Sequence, residues 1–266
     1  MTNQSDRACL ALRLAGPLQS WGSTSQFNRR ETDPSPTKSG VIGLLAAADG
    51  RRRGDSIVDL VDLRLGVRVD QPGTLLRDYH TVSDYRGMPL LSAQVDSSGH
   101  QKAASGGSGR GKVTERFYLQ DAVFLGIVEG NRDLLAGLAT AITRPAFPLA
   151  LGRRCCVPSQ PLLVSPSSGG QLWPEPLEVS IASVPWQAST WHRRKFCSPT
   201  IDLPVSYDSE VGDDVRADVP GSFAHRDRSF SVRRVTCSRV DVPTGVSEEV
   251  ETKTPRSHDP FTLLGW

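Results

Sequence analysis

The feature that most constrains this chain is the order in which its apolar spacing changes period over the first ~155 residues. Cys9 to Leu14 is an apolar run of strand length, broken only by Arg13, and Gly16-Pro17 ends it in a polar loop lasting to Pro36. A helix is expected next. Ser39 is placed to cap it, Val41, Ile42, Leu44, Leu45 and Ala48 supply its apolar face, and Asp49-Gly50 stop it. A short helix from Ser56 to about Leu63 follows, and then Leu65, Val67 and Val69 alternate with Gly66, Arg68 and Asp70 as a strand does.

The pattern repeats around an insertion. Asp78 to Val82 is strand-like, but Ser97 to Lys112 is nearly all small, polar or basic, a composition expected of a flexible excursion. Val113, Glu115, Phe117 and Leu119 then alternate with Thr114, Arg116 and Tyr118, and an apolar run follows from Ala122 to Val128. A hairpin with a long tip fits. Asn131 caps a helix carrying Leu134, Leu135, Leu138 and Ile142, Arg144-Pro145 ends it, and Phe147 to Leu151 is expected as a closing strand. Without the excursion, this is the order of a split βαβ, or ferredoxin-like (RRM-like), α+β domain.

Beyond Pro158 the chain is rich in Pro, Ser and Gly as far as Pro176, the composition of a linker or crossing segment. Leu177 to Ala182 and Phe230 to Val242 alternate like strands, and Thr244 to Pro260 is polar enough for a loose tail. The expected division is therefore a first domain over 1–160 and a small β-rich domain over 161–266.

No run approaches the roughly 20 apolar residues of a membrane span, and neither a signal peptide nor a transmembrane helix is expected. The five cysteines are odd in number and scattered apart from Cys155-Cys156, as reduced cytoplasmic thiols are. His80, His100, His192, His225 and His258 show no metal spacing, so neither a metal nor a cofactor is expected. A net charge of +2 does not announce a nucleic-acid partner. Local bunches do more: Arg29-Arg30, Arg51-Arg52-Arg53, Arg153-Arg154, His192-Arg193-Arg194-Lys195 and Arg233-Arg234, each of which also suits a solvated face.

Gly106 to Lys112 has P-loop spacing as far as its lysine, but Val113 replaces the required hydroxyl and a strand-like segment follows where a helix is needed. Thr37-Lys38-Ser39-Gly40 lacks the glycines and offers a basic, hydroxyl-bearing helix N-terminus. A phosphate suits such a terminus, and so does a plain capped helix with a solvated lysine. Leu151-Gly152-Arg153-Arg154 is either an ordinary turn or a place where a nucleotide backbone passes close to glycine and meets two arginines. His80, beside Tyr79, is the one candidate for acid–base work.

Four blocks, in register, carry a family resemblance: Leu12-Arg13-Leu14-Ala15-Gly16-Pro17-Leu18-Gln19-Ser20-Trp21-Gly22, Pro36 to Leu45, Arg77-Asp78-Tyr79-His80-Thr81-Val82, and Leu151-Gly152-Arg153-Arg154. They resemble the Cas-five family, subunits of the type I-E CRISPR Cascade complex within the RAMP superfamily, from about residue 10 to residue 162. The resemblance implies a ferredoxin-like RNA-binding domain with an inserted flexible thumb, here about 84–116, and a small β domain behind it. It implies a non-catalytic, cytoplasmic subunit that grips the 5′ handle of the CRISPR RNA and caps the foot of the complex. Partners would be the Cascade backbone, large and small subunits, with target DNA reached indirectly through the complex.

On that resemblance Arg29, Arg30, Lys38, Ser39, Arg153 and Arg154 face phosphates, Gly152 lets the RNA approach, and Gln19, Trp21, Tyr79 and His80 contact bases or sugars. A related branch cuts precursor RNA without metal, so a metal-independent endoribonuclease using His80 and Tyr79 is the alternative. A protein-only scaffold is the third reading.

Overall fold

The computed structural model describes residues 6–22, 29–83, 111–224 and 228–245. Along the chain the elements are β1 (Arg7–Ala15), β2 (Leu18–Gln19), β3 (Arg29–Arg30), α1 (Lys38–Ala48), α2 (Val58–Val61), β4 (Arg64–Gln71), β5 (Thr74–Ser83), β6 (Gly111–Gln120), β7 (Val123–Asn131), α3 (Arg132–Thr143), β8 (Leu163–Val164), α4 (Leu177–Ser183), α5 (Thr190–Arg193), β9 (Thr200–Asp208), β10 (Asp214–Ser222) and β11 (Ser229–Pro243). Most of the excursion and thumb, 84–110, with Gly106, Gly107 and Gly109 of the P-loop-like stretch, the tail beyond 245 and His100, His225 and His258 lie outside the described residues.

The strands make a seven-stranded sheet in the order β10-β11-β9-β4-β7-β1-β8 and a four-stranded sheet centred on β6. Strand β1 is apolar and buried without a break from Ala8 to Leu12, which suits a strand covered on both sides. Ala8, Leu10, Leu12 and Leu14 pack with α1, α2 and α3, while Cys9 and Ala11 pack with Leu177 and Ile181 of α4. Each fully buried Leu contributes roughly 1.5–3 kcal/mol over its exposed state. Gly66 of β4 makes room for α4, since a Cβ there would lie 2.9 Å from Leu177 Cδ2.

Several expectations need correction. The cap of α1 is Thr37, whose Oγ1 accepts from Gly40 N at 3.2 Å, because Thr37 is still extended whereas Ser39 already lies in the first turn. The second helix shrinks to the single turn of α2. Phe147 to Leu151 is not a strand: Ala146 N and Phe147 N instead donate to the carbonyls of Ala48 and Ala47 in the last turn of α1. β8 takes the place beside β1, pairing Leu12 with Leu163 and Ala11 with Val164.

Leu177 to Ala182 is the helix α4, whose buried positions Leu177, Ser180 and Ile181 follow helical spacing; a run this short cannot be assigned by periodicity alone. The proline-rich crossing segment is tied to β1, with Cys9 and Trp173 exchanging backbone bonds of 2.8 Å in both directions. The polar alternates of β4 are buried too. Arg68 and Asp70 are both fully enclosed, paired at 2.6 Å, and Arg68 also donates to the carbonyls of Ile181, Val184 and Pro185. Pairing crosses residue 160 twice, because β8 joins β1 and β9 joins β4 through Gly66↔Tyr207 and its neighbours.

Candidate nucleic-acid interface

Strand β6 organises the surface. Along one side it pairs with all of β5, from Thr74↔Gln120 to Ser83↔Gly111, which makes the expected hairpin. Along the other it pairs with β2 near its end and with β3 at Arg29↔Glu115 and Arg30↔Arg116. Residues directly opposite one another share a face of a sheet. Arg77, Tyr79, Glu115, Phe117 and Arg29 therefore lie on one face, and Asp78, His80, Thr114, Arg116 and Arg30 on the other.

Tyr79 is 59% exposed, and His80 is exposed as well. As neighbours on one strand they point to opposite faces, so they do not converge as an acid–base pair. The Arg29 guanidinium lies 5.1 Å from the Phe117 ring centroid and pairs with Glu31 at 2.7 Å and Glu115 at 4.0 Å.

The Gly152 turn closes on this sheet. Gly152 adopts φ +87°, and a Cβ there would collide with the Ser20 carbonyl oxygen. That approach delivers Arg153 to β6 and β3: it donates to Phe117 O at 3.2 Å, Arg30 O at 2.7 Å and Glu31 O at 3.3 Å, with its guanidinium 4.9 Å over the Tyr118 ring. Arg154 is exposed beside it. Among the described residues the side chains of Arg30, Arg116 and Arg154 meet no carboxylate. The structure thus brings Arg29, Arg30, Gly152, Arg153 and Arg154 together around β6, with Tyr79 and His80 across the strand.

The other four candidates point inward. Gln19 is fully buried, donating to Leu14 O at 2.9 Å and Ala122 O at 2.7 Å and accepting from Trp21 Nε1 at 3.0 Å. The Trp21 ring lies against α1 where Gly40 leaves space, since a Cβ there would come within 2.7 Å of it. Lys38 Nζ pairs with Asp208 at 2.9 Å, and Lys38 N donates to Asp218 at 2.7 Å. Ser39 is buried, its Oγ 3.4 Å from Thr37 Oγ1. A carboxylate of the chain's own, Asp218, therefore takes the anion position at the start of α1.

Burial pushes Asp218 up, but Arg233, bonded to both carboxylate oxygens, and the Lys38 N–H outweigh that and hold it below its ordinary value. Arg116 and Phe117 were missed as site residues. Their alternation was visible in the sequence, but the register with β3 that gathers the arginines around them was not. Among the described residues no group of three or more His, Cys, Asp or Glu could hold a metal, and no helix is long and apolar enough to cross a membrane.

The match to the family described as CRISPR-associated protein (Cas_Cas5) runs over residues 9–236. The chain belongs to the Cas5 family. This Cas5 chain is 32% identical over 229 residues to the CRISPR system Cascade subunit CasD of Escherichia coli (strain K12), covering 76% of its own length and 93% of the relative. It superposes on a chain of a structure titled CRISPR RNA-guided surveillance complex with a TM-score of 0.67 and 31% identity, over 90% of this chain and 92% of that one. A second solved structure, titled Crystal structure of Cas protein, gives a TM-score of 0.63 at 35% identity, covering 90% of this chain and 100% of that one.

Proposed function

We propose that this Cas5 chain is a non-catalytic RNA-holding subunit of a type I-E CRISPR Cascade complex, gripping the 5′ handle of the CRISPR RNA and capping the foot of the assembly for interference with invading DNA. The observation that carries the reading is the gathering of Arg30, Arg116, Arg153 and Arg154 around β6, with few acidic partners among the described residues and the exposed His80 on the face that carries Arg30 and Arg116, while Tyr79 stands on the opposite face with Arg29. Arginines that meet no carboxylate, beside the flat ring of a histidine, suit a single-stranded RNA, which offers a phosphate and a stacking face at every nucleotide. The likeness to a Cascade subunit supports the same assignment.

Within this reading Arg29, Arg30 and Arg154 take phosphates, Tyr79 and His80 meet bases or sugars, and Gly152 sets the close approach. Arg153 orders β3 and the turn while turning part of its guanidinium outward. Gln19, Trp21, Lys38 and Ser39 hold the surface from within. The strand order β4-β7-β1-β8, with α1 and α3 on one face, supports reading 1–160 as a ferredoxin-like RAMP domain whose last strand, β8 at 163–164, falls just past that bound. The β5–β6 hairpin is the root of its thumb, and 161–266 is the β-rich C-terminal part. Backbone, large and small Cascade subunits are the partners, target DNA is met through them, and the five free thiols suit the cytoplasm.

The test is the salt dependence of binding to repeat RNA, because each phosphate neutralised releases counterions. Arg30→Ala with Arg154→Ala should weaken binding and flatten the plot of log K against log salt by about 1.4, roughly 0.7 per single-strand contact. An unchanged slope would remove these residues from the interface. No cleavage in EDTA should accompany binding.

A further inference from the structure

Helix α5 and the two residues after it carry a surface that the hairpin does not use. We propose that Trp191, Arg194 and Lys195 form a second contact for single-stranded nucleic acid, beside the base of the β5–β6 hairpin. The element is firmly held. Ser189 caps it, its Oγ accepting from His192 N at 3.2 Å, while Ser189 N and Oγ donate to Gln71 Oε1 at 3.2 and 3.0 Å. Gln71 in turn donates to the Asp121 carbonyl at 2.6 Å and carboxylate at 2.9 Å, which fixes α5 to the β4–β5 and β6–β7 turns.

One side of α5 faces inward. Arg193 donates to Ala188 O at 2.9 Å and to Trp186 O, and Trp186, His192 and Phe196 pack ring against ring with centroids 5.3 to 6.0 Å apart. Burial, and then Lys195, keep His192 below its ordinary value against the opposing pull of Asp121. The other side faces water. Trp191 is 63% exposed, Arg194 and Lys195 are exposed, and Lys195 Nζ sits 3.5 Å from the centroid of the Trp191 ring. Among the described residues neither cation pairs with a carboxylate.

A rigid, largely bare indole beside two uncompensated cations matches the alternation of base and phosphate in a single strand. An acidic peptide would satisfy the charges and leave the indole in water. The contact stands apart from the arginines around β6: Arg116, paired with Arg30, is four residues along β6 from Gln120 at the hairpin's base, roughly 13 Å at strand rise.

The experiment titrates the full chain with a fluorescein-labelled oligothymidylate across a salt series. Arg194→Ala with Lys195→Ala should lower the salt slope by about 1.4. Trp191→Ala should weaken binding on the order of tenfold with the slope unchanged, Trp191→Phe should restore most of it, and none should shift the melting temperature, since the side chains are exposed. Binding by Trp191→Ala and the double variant equal to the unsubstituted chain would overturn the proposal. So would an unsubstituted chain that ignores the oligonucleotide, or variants that lose only a protein subunit. If the Arg30 and Arg154 variants lose binding while the α5 variants do not, the hairpin reading stands and this one falls; the reverse pattern sinks the hairpin reading alone.

Discussion

Lys38 shows how one residue's environment decides its role. A helix N-terminus with a lysine is a ready site for an anion, yet here the anion is internal. Lys38, Asp208, Asp218 and Arg233 form a closed cluster with side-chain exposures of 9%, 13%, 3% and 9%. Removing one member of a buried cluster leaves charge uncompensated, at roughly 3–5 kcal/mol, and Asp208 would still keep Arg233, so Lys38→Ala belongs at about 3 kcal/mol. Urea unfolding should register that loss, while the salt slope for RNA stays the same. A flattened slope without loss of stability would return Lys38 to the interface.

Asp218 gives the same cluster a pH dependence. Its folded pKa lies below the ordinary carboxylate value of 3.8, so its contribution is fully present above about pH 4 and is lost as pH falls through the folded value. Asp218→Asn should be less stable at pH 7 and lose less of its remaining stability on acidification. Parallel pH profiles for the two proteins would contradict this.

At the scale of elements, the turn at Gly152 couples stability to binding. Any side chain there is strained at φ +87° and meets the Ser20 carbonyl, so Gly152→Ala should cost at least about 2 kcal/mol in urea unfolding. RNA affinity should fall with it, because Arg153 and Arg154 ride on the turn. A variant neutral in both assays would mean that the turn does not position the arginines.

The elements also differ in how legible they were. β1, α1, β4, the β5–β6 hairpin, β7 and α3 could be read because each carries a long apolar period or an explicit cap, as Asn131 does by accepting from Asp133 N and Leu134 N. α4 and the segment 147–151 could not, because short apolar runs fit either period and tertiary bonds decide them. For the site, the chain order of Arg29-Arg30 and Arg153-Arg154 was visible, but their meeting depends on Arg153 reaching Arg30 O, 123 residues away in sequence. Burial of Gln19 and Lys38 had no local signal, since their partners Ala122, Asp208 and Asp218 lie far along the chain.

On the scale of the whole molecule, the seven-stranded sheet joins the strands before residue 165 to those after residue 199 through β9↔β4, and the enclosed Arg68–Asp70 pair is locked by carbonyls from 181–185. On this scaffold β6 and its neighbours form a separate four-stranded sheet, and Arg29, Arg30, Arg153 and Arg154 gather along it. The central claim is that this partner is the repeat-derived 5′ end of a CRISPR RNA. The direct measurement is to co-express the chain with the proteins encoded beside it, purify the assembly through this subunit, and sequence the RNA that accompanies it. One uniform 5′ end of repeat sequence is the predicted result; RNA with random ends, or none, would contradict it.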